Sequence, residues 1–82
     1  MSRKMDEMYP AILQTMESVG IINTTENRLR FLMRLRSGIM HDSMNVMKML
    51  WVVALNAEIQ LLREHLLEHY DMDIREEDDV YP

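Results

Sequence analysis

From Thr24 to Tyr70 the chain carries no proline and a single glycine, Gly38, and its polar residues recur at helical spacing throughout. A segment this long, without strand alternation or turn clusters, has little alternative to helix. At 100° per residue, Arg30, Arg34, His41, Asn45, Lys48, Asn56, Gln60 and Arg63 fall within roughly 60° of one line. Phe31, Met49, Val52 and Ile59 intrude on that stripe. The line passes through Gly38 without a phase shift, although Gly38 is a candidate break and Asp42 or Ser43 a candidate new N-cap. The pattern therefore predicts one helix, with room for a bend, over 24–70. At ~1.5 Å per residue it would be about 70 Å long.

Upstream, Met5, Met8, Tyr9, Ile12, Leu13, Met16 and Val19 follow the three-and-four spacing of an amphipathic helix that stops at Gly20, a residue suited to a left-handed C-cap. Pro10 places the regular part from about Tyr9, with the proline in the first turn where no amide hydrogen is missed. "IINTTEN" connects the two helices. Asn23 and Glu26 have capping-box spacing, and either threonine can also cap. Downstream, "DMDIREEDDVYP" loses the helical pattern, so residues 1–70 read as one helical domain and 71–82 as an acidic, frayed tail.

Eighty-two residues make one domain with a thin core, since a chain of this size buries only about 60 to 65% of its unfolded surface. There is no cysteine to staple it, which leaves helix packing and oligomerisation as supports. A rod of about 70 Å cannot be covered by the short N-terminal helix. The side bearing Met47, Leu50, Trp51, Ala54, Ala57 and Leu61 would stay wet in a monomer, so a second copy is expected to cover it. The predicted fold class is thus all-α: a short helix plus one long helix, assembling as a helical-bundle homodimer. Ala54 lies at the centre of that side, and Trp51, the sole tryptophan, is the expected anchor. Arg36 and Glu58 sit on it too. In an antiparallel pair centred near Met47, Arg36 of one chain would meet Glu58 of the other; otherwise both charges reach water along their stems. The chain has ten methionines. Met5, Met8 and Met16 fit a core, whereas Met40, Met44, Met47 and Met49 spread too widely for that and suit an adaptable contact surface.

Net charge is −5, but Arg28, Arg30, Arg34 and Arg36 cluster while the acids concentrate after Glu64. A generic nucleic-acid binder would carry a basic excess, so nucleic acid is disfavoured as a partner. A local anion contact remains open, with Arg30 and Arg34 as neighbours on the polar stripe. The longest uncharged, mostly apolar stretch, Met49 to Ala57, is far short of the roughly 20 apolar residues that span a bilayer. "MSRKMDEMYP" lacks the apolar centre of a secretory leader, and a cytoplasmic, soluble protein is expected.

Within the long run, "RLRSGIMHDSMNVMKML" (34–50) resembles the H-box of histidine-kinase dimerisation and phosphotransfer domains, and the related hairpin of the sporulation phosphorelay phosphotransferase. The matching positions are Arg34, Leu35, Gly38, Ile39, His41, Asp42 and Asn45, followed by apolar Met47, Met49 and Leu50. The resemblance implies that His41 accepts a phosphoryl group, Asp42 holds or deprotonates the ring, and Asn45 orients a water. It covers about a fifth of the chain and lacks the second long helix those families use. "HLLEH" (65–69) has the letters of an inverted zinc-hydrolase motif, yet no third ligand or cleft is in prospect, so neither metal nor cofactor is expected. The balance favours a non-enzymatic adaptor or inhibitor that docks on a host or cellular protein. Compact single-module chains of this kind are common among phage and mobile-element accessory proteins that block host enzymes.

Overall fold

A computed structural model describes residues 3–41 and 45–75, and among these the chain is all-helical, with no strand. Three helices follow one another: α1 (Arg3–Ser18), α2 (Thr25–His41) and α3 (Val46–Tyr70). Helix α1 starts at Arg3 rather than near Tyr9, so Pro10 lies inside it. Pro10 cannot donate to the Asp6 carbonyl, but both residues face solvent and that carbonyl can turn to water. On the other side Met5, Met8, Ile12 and Met16 are all buried, as their spacing predicts. The helix ends as expected at Gly20, whose φ of 78° is left-handed. The Ile21 amide donates to the Met16 carbonyl (2.9 Å) and the Gly20 amide to Glu17 (3.1 Å), the double bond of a Schellman cap.

Thr24, not Asn23, caps α2: its hydroxyl oxygen accepts from the Asn27 amide at 3.1 Å. Helix α2 then runs through Gly38 and stops at His41. Helix α3 starts behind Asn45, whose backbone is extended (φ −133°, ψ 176°) and whose Oδ1 accepts from the Lys48 amide at 2.9 Å. The single long helix expected from the pattern is therefore two helices. The other candidate caps, Asp42 and Ser43, lie outside the described residues. The physical reason is packing: a lone rod gives its apolar stripe nothing to touch, whereas folding it back lets each half cover the other. Since the Asn45 side chain satisfies an otherwise orphan amide, Asn45→Ala is expected to lower stability by about 1 kcal/mol, read as a downward shift in the urea midpoint at constant slope.

The two helices run antiparallel. Ile39 and Lys48 line one cavity, Arg36 Nη1 donates to Asn56 Oδ1 (2.6 Å), and Arg28 acts electrostatically on Glu58, so partner numbers rise as α2 numbers fall. At ~1.5 Å per residue the 25 residues of α3 span the longest dimension of the molecule, 36 Å. Leu29, Leu32 and Met33 from α2, Leu55 and Ile59 from α3, and the α1 methionines form one core. Asp71 closes α3 in the left-handed conformation (φ 53°), with its amide on Leu67 and that of Met72 on Leu66. The chain then folds back, burying Ile74 beside the core. The start of the segment expected to be a frayed tail is thus packed on the helices; residues 76–82 lie outside the described part.

Candidate functional site

Helix α3 is apolar on nearly all sides through its first four turns, and a helix of that kind needs cover on more than one face. Inside the subunit it buries Ala54, Leu55, Glu58, Ile59 and Leu66. Outside it leaves Val46 (75% exposed), Met49, Leu50, Val53 (66%) and Leu61 in solvent, with Ala57 among them. On the helical wheel Val46, Leu50, Val53 and Leu61 lie within roughly 40° of a line through Ala57, Met49 flanks them at about 80°, and no charge falls on that line before Glu64. A charge-free apolar strip of about 22 Å results. Continuous exposed strips of this size mark contact surfaces, while scattered single residues do not.

The predicted interface is therefore only partly on the surface. Met47, Leu50, Trp51 and Leu61 are exposed, but Ala54 (6%) and Glu58 (5%) face the subunit's own core. Arg36 bonds Asn56 of the same chain. These positions correct the expected Arg36–Glu58 contact between copies: Glu58 is enclosed, and Arg36 is engaged within the subunit. The burial direction of α3 lies roughly a quarter turn from the one predicted, because the wheel was phased on a helix that is in fact interrupted. Val46 and Val53 were missed as surface residues. The signal was present, since Met49, Val52 and Ile59 already interrupted the supposed polar stripe and showed that α3 has no single apolar side.

Glu58 is the anomaly of the interior. Its Oε2 is buried without a hydrogen-bond partner, as is Arg28 Nε, while Arg28 Nη2 donates to Thr25 Oγ1 at 3.1 Å. Burial pushes the Glu58 carboxyl above its usual range, against the opposing pull of nearby positive charge, Arg28 included. Tyr9 of α1 completes the group. Burial first, and the Glu58 carboxylate second, push its hydroxyl up to about 12, with Arg28 acting the other way. These three side chains join α1, α2 and α3 electrostatically at the centre of the fold.

"GIMHDSMN" is, on this geometry, the region where the hairpin turns. His41 is the exposed last residue of α2, a position where imidazole meets the negative end of the helix dipole. Asp42 lies outside the described residues. Asn45 spends its side-chain oxygen on the α3 cap, a use that competes with the water-orienting role implied by the H-box resemblance. Of the two candidate anion contacts, Arg30 forms an ion pair with Glu26 one turn earlier (3.0 Å), and Arg34 is exposed. The His65 and His69 rings stand side by side, 4.6 Å apart between centroids, with Tyr70 edge-on to His65. Among the described residues no three metal-ligating side chains converge, and no helix is long and apolar enough to cross a membrane.

The chain matches no protein-family model, no curated protein and no solved structure.

Proposed function

We propose that this chain acts by binding rather than catalysis, as a small adaptor or inhibitor that is homodimeric through the outward face of α3 and docks on a larger cytoplasmic protein. The observation that carries the reading is the charge-free strip Val46, Met49, Leu50, Val53, Ala57 and Leu61. At these exposures each large side chain offers about 100 Å², so the strip by itself supplies somewhat over half of the ~800 Å² per partner of a standard interface. Ala57 sits mid-strip, where a small residue lets two helices approach closely. An uncharged apolar face can meet its own copy about a two-fold axis without setting like charges against each other, which favours a second copy as the first occupant. The spread of methionines around that face suits a surface that also adapts to a different protein.

Sedimentation at micromolar concentration tests this. The wild-type chain is expected to run as a dimer, and Val53→Glu to weaken association by at least about tenfold while leaving the helix content of the folded chain unchanged. A wild-type chain that stays a monomer at every concentration reached would overturn it.

A further inference from the structure

On the side of α3 away from that strip, the helices leave an open trough. Three depressions of about 340, 380 and 290 Å³ run together there and share Leu35. Its walls are one ridge of α2 (Phe31, Leu35, Ile39, spaced four apart), one of α3 (Met47 and Trp51, also four apart), and the Met8–Ala11 side of α1. Two parallel ridges at four-residue spacing make the groove into which a further helix packs, as the fourth member of a bundle.

The rim decides which helix. Lys48 and Arg34 line one end, and Lys4 sits over the Trp51 ring at 6.0 Å, while among the described residues that line the trough the acid is Glu7. A cationic rim on a chain of net charge −5 is a local inversion of sign, and such inversions select partners. We infer that this trough, deepening the binding role proposed above, receives an amphipathic helix of a partner protein that carries acidic residues beside its apolar stripe. Trp51 lies nearly opposite Val53 around α3, so pairing of two copies through the strip leaves both troughs open. The partner's apolar residues cover Leu35, Ile39 and Trp51, and its carboxylates approach Lys48, Arg34 and Lys4.

Trp51 is the only tryptophan and reports on the trough directly. The probe is a synthetic helix of about four turns, with leucine on one face and glutamate flanking it, compared with the same peptide carrying lysine for glutamate. Titration of the full chain is expected to shift Trp51 emission to the blue, with the acidic peptide binding at least about tenfold tighter and losing affinity as salt rises. Lys48→Glu should abolish or reverse that preference. Equal affinity for the two peptides, a preference unchanged in Lys48→Glu, or an unchanged Trp51 spectrum overturns the inference. So does a blue shift produced by raising protein concentration alone, which would assign the trough to a second copy. A dimer with a silent Trp51 removes the trough and leaves the binding role standing; peptide binding by a monomer does the reverse.

Discussion

Leu55→Ala is expected to cost about 2 to 5 kcal/mol of folding free energy, the range for truncating a fully enclosed leucine. Leu55 has no exposed surface and lies in α3 within the core that Leu29, Leu32 and Met33 supply from α2 and Met5, Ile12 and Met16 from α1. Removing three carbons there leaves a cavity that only helix shifts can close, and helices held by a short hairpin shift little. A chain of this size has roughly 4 to 12 kcal/mol in all, so the variant should melt at least about 10 °C lower and populate unfolded molecules measurably at 37 °C. Leu50→Ala is the matched control. Leu50 is 53% exposed on the outward strip, and its truncation should leave subunit stability within about 0.5 kcal/mol while weakening self-association. Thermal unfolding and sedimentation on the same two variants separate the two faces of one helix. Equal losses of stability would mean that α3 has no free face.

That contrast also shows what the sequence could reveal. Features set by a few neighbouring residues were legible: the Gly20 cap, the Met5, Met8 and Met16 face, and the helix start around Thr24. Each depends on local chemistry that no distant residue overrules. The hairpin was not legible, because an unbroken polar line from Arg30 to Arg63 is equally the signature of two helices that each keep one wet side. Arg34, His41, Asn45, Asn56 and Gln60 are all exposed, so the pattern was real although the continuity inferred from it was not. Once α2 and α3 are separate, each is free to turn about its own axis, and packing sets the phase. It turned Ala54 and Glu58 inward and Val46 and Val53 outward. The trough was out of reach for a related reason, since its walls come from three separate helices, whose placement only tertiary contacts determine.

Glu58→Gln is expected to stabilise the subunit by about 1 to 3 kcal/mol at neutral pH, because it removes a charge whose Oε2 is enclosed without a partner. The pH dependence makes this specific. Glu58 has an ordinary value of 4.5, raised in the folded chain chiefly by burial. Below 4.5 the carboxyl is protonated in both states, and the glutamate and glutamine proteins should be nearly equal in stability. As pH rises past that point the unfolded chain releases its proton while the folded chain still holds it. The folded state then binds more protons, and wild-type stability falls by up to about 1.4 kcal/mol per pH unit until the folded carboxyl ionises as well. The glutamine variant lacks this fall. Subtracting its urea-derived stability from the wild-type value at each pH isolates Glu58 from Asp6, Tyr9 and Arg28, which both proteins share. A difference near zero at acid pH that grows and then levels off fits a buried carboxyl that nearby positive charge, Arg28 included, compensates only in part. A glutamine variant less stable than wild type at pH 7 would show instead that the ionised Glu58 is an attractive member of the Tyr9–Arg28 cluster, and that its charge helps hold the three helices together.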